Sequence, residues 1–94
     1  MPDDGGEGDD GTVRLWLVDR SYDDKGLVQL VYATPDGESF RRFEWAAASL
    51  GRREVTAAVD VDPEELAPVD SAERGRYREE ARRMADRHDP DDEL

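Results

Sequence analysis

Cysteine is absent from this 94-residue chain, lysine occurs once (Lys25) and histidine once (His88). Without cysteine there is no disulfide scaffold, no thiolate nucleophile and no sulfur-based zinc site. A single histidine excludes a histidine metal cluster, and no cofactor is expected. Apolar runs reach only four residues, as in Leu15–Val18, so no segment spans a bilayer, and no signal-peptide pattern opens the chain. A cytoplasmic location is the expectation. At 94 residues there is room for one core and no second domain.

Acid, by contrast, is abundant. The chain carries 25 Asp and Glu against 13 Lys and Arg, for a net charge of −12. Residues 1–11 contribute −5 and residues 89–94 contribute −4, so the body, 12–88, is close to balanced at −3. The opening MPDDGGEGDDG holds four glycines and nothing large and apolar beyond Met1. Such a segment cannot offset its ordering entropy, and residues 1–11 read as a disordered acidic tail. The ending, 89–94, is expected to fray as a second acidic tail around a single domain over 12–88.

Thr12 to Arg20 is dense in β-branched and aromatic residues and reads as a strand, with Leu27 to Thr34 as a second. Gly26 can supply the positive φ of the connection between them. Thr34-Pro35-Asp36-Gly37 is a better-specified turn, with proline and glycine where their backbone preferences are needed. Ser39 to Glu44 returns as a third strand. Glu44 to Gly51, with three alanines, reads as a short helix or else as a longer third strand. Val55 to Val61 makes a fourth strand. Asp62-Pro63-Glu64-Glu65 and Asp70-Ser71-Ala72-Glu73 both look like helix starts. The main helix is expected over about Ser71–His88, its docking stripe formed by Tyr77, Ala81, Met84, Ala85 and His88 and flanked by arginines. The expected fold is α+β: a four-stranded antiparallel meander with a long C-terminal helix packed on one face.

Scarce lysine, plentiful arginine, and abundant alanine and valine resemble the proteome of a salt-accumulating archaeon, where high internal salt screens self-repulsion. The stretches YATPDGE (32–38), VTAAVDVDPEEL (55–66) and YREEARRMADRHDPDDEL (77–94) resemble a family of small haloarchaeal proteins of unknown function. That resemblance implies no catalytic or binding residue.

Little in the chain points to chemistry. Asp60-Val61-Asp62 begins like a calcium loop, but the sixth-place glycine is missing and Pro63 starts a helix instead. His88 has no nucleophile or carboxylate constellation around it and reads as a helix-end residue. The serines lie in no nucleophile motif, and no glycine-rich phosphate loop exists. The expectation is therefore a non-enzyme.

Two surfaces remain. Strands 1 and 2 are apolar on both faces while one helix covers one face, which leaves Trp16, Val18, Leu30 and Tyr32, or their opposites, for a partner or a homodimer contact. The arginine pairs Arg41-Arg42, interleaved with Phe40, Phe43 and Trp45, and Arg52-Arg53 suit RNA or ribosome contact as the alternative. A protein-interaction module is the leading reading, because the acidic balance repels phosphates at low salt.

Overall fold

A computed structural model describes residues 11–46 and 55–94. Five strands lie among them: β1 (Val13–Tyr22), β2 (Leu27–Ala33), β3 (Ser39–Ala46), β4 (Ala58–Val61) and β5 (Ala67–Pro68). A 3-10 turn, Pro63–Glu65, separates β4 from β5, and the helix α1 runs Arg74–Arg87. The sheet order is β4-β1-β2-β3-β5, and every pairing is antiparallel. The α+β class and the C-terminal helix are as the sequence implies.

Two features of the sheet differ from the expected meander. The fourth strand does not follow β3 in the sheet; it crosses to the far side and pairs with β1, Val13 opposite Val61 and Trp16 opposite Ala58. This register also brings Arg14 Nε to 3.0 Å from Asp60 Oδ1. The outer edge of β3 goes to β5, an unforeseen fifth strand that pairs Ser39 with Pro68 and Phe40 with Ala67. A two-residue strand containing proline has almost no local signature, so only the tertiary pairing reveals it.

Element boundaries moved for local reasons. Trp45 and Ala46 extend β3, pairing with Val28 and Leu27, while the rest of the ambiguous 44–51 stretch lies outside the described residues. Asp62 precedes a 3-10 turn with Pro63 at its first position, yet its side chain makes no capping bond. The helix begins at Arg74 with Glu73 as its cap residue, again without a side-chain bond. The preceding turn is closed instead by Glu73 N–H donating to Asp70 O at 2.8 Å.

Both faces of the sheet are buried. On the helix side, Trp16, Val18, Val31, Ala33, Ala57 and Ala58 pack with Ala81, and Phe40, Tyr77 and Met84 close around them. On the other side, Leu15, Leu17, Val28, Leu30, Tyr32 and Val61 form a second cluster against Phe43, Trp45, Val55 and Leu66. Leu15, Val28, Leu30 and Tyr32 are fully enclosed, each worth about 1.5–3 kcal/mol of burial. Tyr32 is anchored further by its hydroxyl, which donates to Thr56 O at 2.8 Å.

The C-terminal residues pair with the 55–58 segment through their backbone. Ala57 N–H donates to Asp92 O, Ala58 N–H to Pro90 O, and Leu94 N–H to Val55 O, at 2.8–3.0 Å. Thr56 and Glu93 form an antiparallel bridge. Backbone pairing explains this, because acidic side chains do not prevent main-chain bonding along a sheet edge.

Candidate functional site

A β-bulge at Val18 organises the most distinctive surface. The β1–β2 register shifts between Leu17 and Asp19. Upstream, Trp16 lies opposite Ala33 on the helix side; downstream, Asp19 lies opposite Val31 on that same side. The extra residue inverts the odd–even pattern, so Asp19 and Ser21 lie on the helix side, and Arg20 and Tyr22 on the far side with Leu30 and Val28.

The turn after β1 sets the backbone parity. Asp23 N–H donates to Leu27 O at 3.0 Å, and its side chain receives the N–H groups of Lys25 and Leu27. Counting back by twos, Ser21 and Asp19 bond to β2, while Arg20 and Tyr22 turn their N–H and C=O groups away from it. Consistently, Arg20 N–H donates at 2.9 Å to the Asp19 carboxylate instead of to β2. On that outer side β4 flanks β1 over Val13–Trp16, and Leu17 N–H reaches Ala57 O. Beyond Leu17, the Asp19–Tyr22 stretch has no strand beside it among the described residues.

A cleft of about 270 Å³ opens next to this edge. It is lined by the apolar Leu17, Val18, Met84 and Leu94 and by the charged Asp19, Arg20 and Glu80. Tyr22 and Leu94 are the exposed large apolar residues among those described, 64% and 41% exposed, and Leu94 lines the cleft. Burial pushes the Tyr32 phenol above its ordinary value near 10, opposed by the hydrogen bond with Thr56 and, less, by the positive charge of Arg20.

The residues singled out from sequence are placed differently. Trp16 and Val18 belong to the helix-side cluster and Leu30 and Tyr32 to the opposite one, so the four share no face. All four are buried within the single chain, Leu30 and Tyr32 almost completely. Within the single chain, Phe43, Trp45, Val55 and Leu66 pack against the cluster that holds Leu30 and Tyr32, and α1 packs against the one that holds Trp16 and Val18. Arg41 and Arg42 point to opposite sides of β3, opposite Tyr32 and Val31 respectively. Arg41 pairs with Glu65 and lies 4.9 Å from the Phe43 ring centre; Arg42 lies 5.8 Å from that of Phe40. Arg52 and Arg53 lie outside the described residues. Along the helix, Arg76 and Arg83 are held by Glu73 and Glu80.

Sequence reading passed over Asp19, Arg20 and Tyr22 because they follow the apolar run and look like the end of a strand. The available signal was the loss of apolar alternation at Asp19 within a segment that stays β-prone through Tyr22. Among the described residues, no group of three or more histidine or acidic side chains is arranged to hold a metal ion. No helix among them is long and apolar enough to cross a membrane.

The fold and this surface define a small α+β domain, one helix on a five-stranded antiparallel sheet, with an unpaired strand edge beside a shallow apolar cleft. The chain belongs to a family of unknown function (DUF7967), whose model matches residues 9–94. All three stretches that carried the sequence resemblance fall within that span. No curated protein and no solved structure matches the chain.

Proposed function

We propose that this chain is a non-enzymatic protein-interaction module that accepts an extended segment of a partner along the outer edge of β1. One observation carries the reading. Tyr22 directs its N–H and C=O outward, and Arg20 its C=O, at a place where β4 no longer flanks the strand, while the Arg20 N–H is taken by Asp19. An added strand recovers those hydrogen bonds without rearranging the fold. The exposure of Tyr22 on the strand and of Leu94 in the cleft adds apolar area for a partner. The buried faces supply none, which moves the interface from the sheet's face to its edge. The excess of acid supports a salt-rich cytoplasm as the setting, where apolar contact strengthens and self-repulsion is screened.

Site-specific photo-crosslinking tests this reading. A photoreactive phenylalanine replacing Tyr22 is expected to give protein adducts in the native host, and the same group at Glu79, on the helix's outer face, is not. Adducts that are equal at both positions, or that consist of RNA, would reject the edge as the interface.

A further inference from the structure

We infer, resting on the edge-binding reading above, that Asp19 guards the β1 edge: its carboxylate holds the N–H that an added strand needs at Arg20, and so sets how tightly the edge binds. A strand laid antiparallel along Arg20–Tyr22 exchanges two backbone bonds with Arg20 and two with Tyr22. Tyr22 has both of its groups to offer, and Arg20 has its C=O. The remaining group, the Arg20 N–H, donates at 2.9 Å to Asp19 Oδ1.

The competition favours the guard. Asp19 is the adjacent residue of the same chain, so its bond forms without any association. A hydrogen bond to a carboxylate is also roughly twice as strong as one to a neutral carbonyl. A partner's carbonyl therefore does not displace Asp19, and the pairing at Arg20 stays half made. The surroundings are those of a protected edge. The open stretch, Asp19–Tyr22, is short and begins at the bulge, and short length, bulges and charge keep sheet edges from indiscriminate pairing. Charge on the occupant matters less, because Arg20 lines the cleft together with Asp19 and Glu80. Arg76 on α1, bonded to Glu73 at 2.7 Å, also feels the charge of Asp19. What Asp19 withholds from a partner is a backbone donor.

The test titrates the isotope-labelled full chain with an uncharged, capped heptapeptide alternating valine and threonine. Wild type is expected to bind it weakly, with chemical-shift changes centred on the Tyr22 amide. Asp19→Ala frees the Arg20 N–H and is expected to bind roughly 3- to 10-fold tighter, the contribution of one neutral hydrogen bond, with the Arg20 amide joining the shifts. Asp19→Asn removes the charge but keeps Oδ1 as an acceptor, and is expected to stay closer to wild type. In the free proteins the Arg20 amide is expected to exchange faster in Asp19→Ala than in wild type; dispersed amide spectra check that both variants fold. Equal exchange at Arg20, equal affinity of wild type and Asp19→Ala, or an Asp19→Asn variant as tight as Asp19→Ala overturns the guard. Equal affinities with shifts still centred on Tyr22 leave the edge itself standing. Absence of binding to all three proteins also overturns the guard, and the Tyr22 adducts in the host then decide whether the edge falls with it.

Discussion

Gly37 and Arg74 meet backbone to backbone: a Cβ added at Gly37 would sit 2.4 Å from the Arg74 carbonyl oxygen. The β2–β3 turn is thereby seated directly on the first turn of α1. Gly37 also has φ +74, a conformation that glycine adopts without strain. The Thr34-Pro35-Asp36-Gly37 turn thus both reverses the chain and docks the helix.

Gly37→Ala is expected to destabilise the domain by about 2–4 kcal/mol, combining left-handed strain with a backbone clash. Gly26→Ala, at φ +86 with open space around it, is expected to lose only about 1 kcal/mol. Denaturant midpoints of the two variants check this; equal shifts would mean that the turn does not press on the helix.

Met84→Asp is expected to unfold the domain or weaken it by about 3 kcal/mol, because Met84 packs against both apolar clusters. Arg83→Asp removes an exposed pair with Glu80 and is expected to lose less than about 1 kcal/mol. Thermal melts of both variants under one salt condition would expose a wrong helix phase if the order were reversed.

Deletion of residues 89–94 is expected to weaken the fold by about 1–3 kcal/mol, since three backbone bonds to residues 55–58 are lost, less the ordering entropy they offset. Amide exchange is the direct measurement. Ala57 and Ala58 should lose protection, while the β2–β3 ladder keeps it. Unchanged protection at Ala57 would restore the view of this segment as a dispensable tail.

Alkaline pH offers a further check through Tyr32. Burial raises its folded value above the ordinary one near 10, so stability is flat below that pH and falls above it, as the unfolded chain ionises first. Tyr32→Phe loses the bond to Thr56 O, about 1 kcal/mol at neutral pH, and is expected to flatten the alkaline decline. Urea midpoints measured on both sides of pH 10 decide it; parallel curves for the two proteins would assign the decline to other groups.

The amino-acid sequence alone determined what local rules can reach. Apolar alternation and turn chemistry marked β1, β2 and β3, and the spacing of Tyr77, Ala81 and Met84 marked the docking stripe of α1. Composition alone excluded thiol chemistry and a histidine metal cluster. Tertiary structure decided which strands become neighbours, because β4 has the same apolar pattern whichever sheet edge it joins. It also decided the fate of the second sheet face, which Phe43, Trp45, Val55 and Leu66 close from positions distant in the chain. The candidate site came from the same level. A single extra residue at Val18 inverts the faces of β1, and a β4 that stops at Trp16 leaves Arg20 and Tyr22 open. Bulges and strand overlap depend on pairing between remote segments, and pairing has no signature within either segment by itself.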